Sequence, residues 1–333
     1  MLFINYKNLS MLIFLTNRII QSFIVLLIMS LLVFAAVYAI GNPIDVLINP
    51  EASEEEKIKT IKNLGLDKSL FEQYYIFLQN AFKGELGYSF VHNRPAISLI
   101  LERLPATLEL TISALLIAII IGIPLGTIAG LNPDNFISKS ILAMSIFFFS
   151  LPTFWVGLIL IMIFAVSYNF FPSTGRGDTV EIFGFYFSFL TFDGLKHLAL
   201  PSINLALYPL ALVIRLTFAG IQETLPLDFI KFARAKGLSR FRIISYHLLK
   251  YILIPIVTVI GLQFSVLIAF AVITESIFAW PGMGRLIIES ITLLDRPVIV
   301  AYLLVTVFIF MLVNLIVDIL YSLLDPRIRI SDK

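Results

Sequence analysis

The sequence predicts an all-α, polytopic membrane protein with six transmembrane helices and a small external helical subdomain between the first two. Three observations predict it. The 333-residue chain is 59% hydrophobic and only 14% charged, with mean hydropathy +0.96, whereas soluble domains run at about 45–50% apolar and about 25% charged. Its apolar residues fall into runs of about 20 or more, the length at which a helix rising 1.5 Å per residue crosses a hydrocarbon layer about 30 Å thick. Outside the long 41–103 segment, which is exempt from the rule, lysine and arginine favour the segments that six crossings with both ends inside would leave in the cytosol over the two short external loops.

Lys7 and Arg18 precede the first run, about Ile19 to Ile40, and favour a cytosolic N-terminus. No small-residue cleavage site follows, so the run reads as a retained anchor. From Gly41 to Arg103 the chain carries mixed charge and turn residues. Ser53 with Glu56 fits a capping box, and Ile58, Ile61 and Leu64 repeat at helical spacing, as do Phe71, Tyr74, Tyr75 and Leu78. This predicts two short helices outside the membrane, suited to a lid, a docking surface or a structured connection. The chain thus divides at 1–104, anchor span plus external subdomain, and 105–333, a five-span core with a cytosolic loop at 222–250.

The second span is Leu104 to Leu131, with Pro105 at its start and Gly122, Pro124, Gly126 and Gly130 in its second half, where small residues permit close helix packing. The third is about Ile141 to Val166, with Pro152 inside it. An external loop, 168–196, centres on PSTGRG, and its aromatic residues suit the membrane surface. His197 to Ile221 and Tyr251 to Phe278 are the fourth and fifth spans. FAWPGMGRL opens a short external loop ending near Pro297, and Val298 to Leu324 is the sixth span. The 222–250 loop holds Lys231, Arg234, Lys236, Arg240, Arg242 and Lys250 against Glu223 and Asp228, and Arg327, Arg329 and Lys333 close the chain.

Several classes of function find no support. Net charge is +2, too small to argue for nucleic acid; no cysteine is present, and His92, His197 and His247 are scattered. The sequence contains no G-x-x-x-x-G-K-[ST] phosphate loop, no GxSxG elbow and no HExxH. No catalytic residues, cofactor or metal are expected on this chain.

The basic stretch TLPLDFIKFARAKGLSRFRIISYHLLKYILIP, Thr224 to Pro255, lies between two long apolar segments. Pro226 suits the first turn of a helix, and Thr224 and Asp228 are cap candidates. At 100° per residue, Phe229, Phe232 and Ala233 share one face, with Lys231 and Arg234 turned away. Gly237 supplies a stop, with Lys236 in the last turn. A helix of about ten residues, roughly 15 Å long, is predicted. From the residues alone it is equally a basic interfacial helix lying on anionic lipid.

The chain from NRIIQS to DPRIR, with GELGYSF, LPATLEL, PSTGRG, ARAKGL, ESIFAWPGMG and DPRIR in that order, resembles the B-type permease subunit of dipeptide/oligopeptide ABC importers. FARAKGL, with Pro255 eighteen positions after Gly237, is similar to the loop by which such permeases dock into a groove on a cytosolic ATPase. Asp228, Phe229, Phe232, Ala233, Arg234, Ala235, Lys236 and Gly237 are then the coupling residues. Lys231 stands where many members carry Glu, and Phe232 where they carry the first Ala, a departure common in the peptide branch. The resemblance implies the type I importer fold in the bacterial inner membrane. It also implies a second permease subunit, two ATPase subunits that hold ATP and Mg, and an external solute-binding protein. Relatives also move nickel, glutathione or sugars. An ion-coupled secondary transporter is the rival class, but the inverted repeats and mid-span carboxylates expected of one are not evident.

Four further features invite two readings each. Arg215 in the fourth span either snorkels to the cytosolic interface or takes part in gating. Asn314 and Asp318, one turn apart in the last span, either bind helices together or touch substrate. The turn through Trp280, Pro281, Gly282 and Gly284 is an aromatic-anchored hairpin or, by resemblance, a contact with the binding protein or an external gate. Glu109 and Glu275 near external span ends can reach headgroups or water.

Overall fold

The computed structural model describes residues 2–39, 53–63 and 67–324. Leu64, the 41–52 stretch and the tail bearing Arg327, Arg329 and Lys333 lie outside these residues. The elements run α1 (Leu2–Ala39), α2 (Glu54–Asn63), α3 (Leu70–Phe82), α4 (Ala96–Leu131), α5 (Phe136–Ser150), α6 (Thr153–Leu160), β1 (Val180–Ile182), β2 (Phe185–Phe187), α7 (Phe192–Thr224), α8 (Asp228–Ala235), α9 (Arg240–Ile277), α10 (Met283–Thr292) and α11 (Arg296–Leu324). Residues Ile161–Ser167 prolong α6, and Ile243–Leu248 form part of α9, both wound wider than an α-helix. Among the described residues, α1, α4, α7, α9 and α11 are long and apolar enough to cross a bilayer.

The third predicted span is broken. Residues Phe136–Ser150 and Thr153–Ser167 meet at 103°, so they form one bent crossing or a re-entrant pair. The cause is local: the residue before a proline is pushed out of the helical region, and Leu151 accordingly sits extended at φ −79, ψ 136 before Pro152. Asn135 starts α5, its side chain accepting from the Ile137 N–H at 3.3 Å. Pro105, Pro124, Pro201, Pro209 and Pro255 all lie inside helices. Pro105 is therefore not a helix start; α4 begins nine residues earlier, at Ala96.

The fold comprises two compact units, residues 1–104 with 286–315, and residues 105–285 with 316–333. In the first unit, both short helices begin with capping boxes. The Ser53 hydroxyl accepts from Glu56 N–H at 3.3 Å while Glu56 accepts from Ser53 N–H at 3.2 Å. Ser69 and Glu72 repeat the exchange at 3.3 and 3.0 Å. Hydrogen bonds from the Ser69 backbone and hydroxyl hold the exposed Glu72 carboxyl below its ordinary pKa. A depressed carboxylate stabilises the fold above its unfolded pKa and loses that contribution as pH falls through the folded value. Ser69→Ala should therefore fray the first turn of α3 at neutral pH and remove its acid sensitivity, read by hydrogen exchange over residues 70–75. The GELGYSF motif also explains itself here. The Ser89 hydroxyl donates to the buried Asp295 at 2.5 Å, Phe90 N–H donates to the same carboxylate at 3.0 Å, and Gly87 lies where a Cβ would meet Pro297 at 3.2 Å.

The second unit is cored by Leu110, Leu205, Ala206, Leu267 and Trp280. Here the glycines of α4 let α7 approach. A Cβ at Gly126 would stand 2.6 Å from the Ile214 carbonyl, and one at Gly130 would stand 2.8 Å from Ile221. The β1–β2 hairpin pairs Val180 with Phe187 and Ile182 with Phe185.

Candidate functional site

The basic segment leaves α7 at Thr224. That residue does not cap the next helix; its hydroxyl donates back to the Gly220 carbonyl at 2.6 Å. Leu225 to Leu227, including Pro226, form a turn, and α8 starts with Leu227 in the cap position and no side-chain cap. Asp228 lies in the first turn, where a negative charge suits the helix dipole. Its ion pair with Lys231, at 2.9 Å, is largely exposed to solvent and so adds little.

The end of α8 is tightly specified. Gly237 adopts φ +75, its N–H donates to the Arg234 carbonyl at 2.9 Å, and the Leu238 N–H donates to the Ala233 carbonyl at 3.3 Å. This pair of bonds is the Schellman arrangement, which needs a left-handed residue where Gly237 stands. Ser239 then caps the start of α9, its hydroxyl accepting from Arg242 N–H at 3.4 Å.

The buried face of α8 differs from the one the sequence suggested. Ile230 and Ala233 are its buried residues, packed with Ile221 of α7 and Ile243, Leu248, Ile252 and Ile256 of α9. Phe229 is partly exposed beside Tyr251, with ring centroids 5.6 Å apart. Phe232 faces outward at 61% exposure, with the Lys236 ammonium 4.7 Å from its ring centroid. Phe241 is exposed nearby at 79%. Lys231, Arg234, Ala235, Lys236, Arg240 and Arg242 are exposed as well. The apolar face that the sequence places through Phe232 thus splits into an inner anchor of Ile230 and Ala233 and an outer basic, aromatic surface. Because Ile230 is wholly buried between α7 and α9, α8 is bound to both helices. Ile230→Ala should cost about 2–5 kcal/mol and loosen α8 first, measurable as faster exchange of its amides while α7 stays protected.

At the other end of α9, sequence reasoning missed a second cluster. Glu109 and Glu275 do not reach water; they are 6% and 0% exposed. Glu109 accepts from Arg176 Nε at 3.1 Å and Nη2 at 2.7 Å, from Ser188 N–H and hydroxyl at 2.8 Å each, and from Phe189 N–H at 2.6 Å. Glu275 accepts from the Thr107 hydroxyl at 2.6 Å and Arg285 N–H at 2.9 Å. Trp280 is not an interfacial anchor: its ring is fully buried, Nε1–H donates to the Ala106 carbonyl at 2.9 Å, and the Arg176 guanidinium sits 5.7 Å from the ring centroid. Gly282 and Gly284 are buried where any Cβ would strike the Glu275 carboxylate, and Pro281 is half-buried. The available signal was the presence of two carboxylates within otherwise apolar runs, which is rare without a partner.

Arg215 is exposed along α7, on one stripe with Tyr208 and Ala219. Asn314 is exposed and Asp318 half-buried on α11. The structure does not bring Arg215 to either cluster. Among the described residues, no group of three or more His, Asp or Glu is arranged to hold a metal.

Residues 122–330 match the family described as binding-protein-dependent transport system inner membrane component, and residues 11–111 match the N-terminal family of the same membrane components. The chain is 36% identical over 319 residues to the dipeptide transport system permease protein DppB of Escherichia coli (strain K12), covering 90% of this chain and 94% of that one. It is 39% identical over 316 residues to the di/tripeptide transport system permease protein DppB of Pseudomonas aeruginosa, with the same coverage. It is 34% identical over 305 residues to the glutathione transport system permease protein GsiC of Escherichia coli O6:H1, covering 91% and 94%. Among solved structures it resembles a chain of the MetNI methionine ABC transporter in an inward-facing conformation, with TM-score 0.53, 17% identity, and coverage of 68% of this chain and 96% of that one.

Proposed function

This chain belongs to the family of binding-protein-dependent transport system inner membrane components, and from that premise we propose that it carries dipeptides or oligopeptides inward, driven by ATP hydrolysed on other subunits. It is a multi-pass permease subunit of an ABC importer in the inner membrane, and not itself an enzyme. A second permease subunit completes the path, two ATPase subunits holding ATP and Mg drive it, and an external solute-binding protein delivers the substrate. Both chain ends and the 222–250 loop face the cytosol.

The observation carrying this reading is the construction of α8. Its inner residues lock it to α7 and α9, while Phe232, Lys236 and Phe241 are offered outward. A push on that outer surface moves both membrane helices together, as coupling to a separate engine requires. Asp228, Phe229, Ala233, Arg234, Ala235 and Gly237 set the shape and charge of the handle. Arg215, Asn314 and Asp318 are the polar groups on the translocation path. The segment fixed by Trp280, Gly282 and Gly284 acts on the binding protein through its half-exposed Pro281.

The test is reconstitution of the chain with its partner subunits and binding protein in sealed vesicles. Uptake of labelled dipeptide should require ATP and persist when the proton gradient is collapsed. Uptake that follows the gradient and ignores ATP would overturn the reading. The ligand that co-purifies with the binding protein decides between peptides and glutathione.

A further inference from the structure

Helix α3 serves neither the coupling loop nor the buried carboxylates, and its placement against α1 is unexpected for a lid in water. The Tyr74 hydroxyl is 2.9 Å from that of Ser30 and 3.5 Å from the Leu27 carbonyl. Phe34 lies 5.4 Å from Tyr74 and 6.0 Å from Phe77, ring centroid to centroid, and Phe23 lies 6.5 Å from Phe82. As α3 advances from Tyr74 to Phe82, about 12 Å, its contacts on α1 retreat from Phe34 to Phe23, about 16 Å. The two helices are antiparallel neighbours. The apolar window of α1 ends at Ala36; Ser30 lies about 9 Å and Phe23 about 20 Å back along the helix from that end. A helix touching α1 over this register lies beside the membrane span, not above it.

The remaining faces of α3 divide cleanly. Phe71, Tyr75 and Phe82 lie within about 40° of one another at 100° per residue and are 79%, 56% and 70% exposed. Glu72 and Gln79 occupy the adjoining exposed strip. At its far end the row meets the exposed Phe23 of α1 through Phe82, which also lines an apolar groove of about 280 Å³ whose walls include Leu26, Leu78, Leu304 and Phe308. We propose that α3 is seated in the bilayer beside α1. Phe71, Tyr75 and Phe82 lie against lipid acyl chains, Phe82 deepest, beside Phe23 and about 20 Å from the C-terminal end of the α1 apolar window, and Glu72 and Gln79 line an adjoining strip open to water. Burial in lipid is tolerable because a helix satisfies its own backbone groups and the Tyr74 hydroxyl is matched by Ser30. The inference rests on the membrane reading but not on which side the N-terminus faces.

The absence of cysteine makes the test direct. Phe71→Cys, Tyr75→Cys, Phe82→Cys, Glu72→Cys and Gln79→Cys, each in the full chain, are spin-labelled in nanodiscs of phosphatidylethanolamine and phosphatidylglycerol. Collisions with dissolved oxygen and with a water-soluble nickel chelate are then compared. Labels at 71, 75 and 82 should meet oxygen and exclude nickel, with the ratio reversed several-fold at 72 and 79. Equal nickel access at all five positions would show a lid in water, and exclusion of both reagents from the aromatic row would show a protein cover; either overturns the proposal. Leu262→Cys, on the exposed side of α9, separates the two readings, because nickel access there would refute the membrane crossing itself. As a check on labelled variants, Phe71→Trp in the unlabelled chain should be quenched by lipids brominated on their acyl chains, and unchanged emission would count against the proposal.

Discussion

Gly237→Val is expected to abolish coupled peptide uptake while leaving the chain inserted in the membrane and assembled with its partners. The backbone at Gly237 stands at φ +75, and nothing lies within 4 Å of the point a Cβ would occupy. The penalty for a larger residue is therefore conformational and not a clash. A β-branched residue held in the left-handed region costs about 1–3 kcal/mol, and the segment can avoid that cost by giving up the bonds from Gly237 to Arg234 and from Leu238 to Ala233. Loss of those bonds unwinds the last turn of α8 and turns Lys236 and Phe232 away from their present positions. An energy of that size changes the population of the docked geometry by roughly 5- to 150-fold. Gly237→Asn supplies the control, since asparagine visits the left-handed region more readily, and it should retain most of the uptake. The measurement is dipeptide uptake per ATP hydrolysed in sealed vesicles, with co-purification of the partners as the assembly check. Normal uptake by the valine variant would remove the coupling role from α8. Equal loss in valine and asparagine variants would show that the absence of a side chain, and not the backbone angle, is what matters there.

Much of this site could be read from the sequence, for physical reasons that also explain what could not. Gly237 announced a helix stop because few residues tolerate the angle, and the structure ends α8 with that angle. The long crossings were legible because 20 consecutive apolar residues have few alternatives. The inner face of α8 was misread because, on a helix of eight residues, aromatic rings dominate the apolar pattern. Ile230, smaller and flanked by Phe229 and Lys231, takes the buried place because it fits between Ile221 and Ile252. That choice depends on neighbours supplied by α7 and α9, which no local pattern reveals. The break at Leu151 was hidden for a similar reason. Pro105, Pro124, Pro201, Pro209 and Pro255 are accommodated within helices, so proline alone did not identify the one that ends a helix. Glu109 was visible as a carboxylate in an apolar run, but its partner Arg176 lies 67 residues away in a loop that periodicity leaves blank.

That pair provides the second large effect. Glu109→Ala removes the acceptor of five hydrogen bonds at once. It leaves the Arg176 guanidinium, whose side chain is only 11% exposed, with the Tyr186 carbonyl at 2.6 Å and the face of Trp280. Breaking one side of a buried pair costs about 3–5 kcal/mol, because the charge left behind remains desolvated. Much of that cost should appear locally, since Ser188 and Phe189 connect the β1–β2 hairpin to α7 and their N–H groups would also lose their acceptor. Glu109→Ala should therefore lower the unfolding temperature in detergent and expose the 168–196 segment to protease. Arg176→Ala should be milder, because Glu109 keeps its three bonds from Ser188 and Phe189. Replacing both, Glu109→Ala with Arg176→Ala, takes away the charges together and should cost less than the sum of the single losses. If the double variant were instead additive, the two side chains would be acting independently and the ion pair would not be what fastens the loop to α4. If Glu109→Ala left both stability and protease resistance unchanged, the carboxylate would have no structural role, and its burial would have to be explained by transport itself.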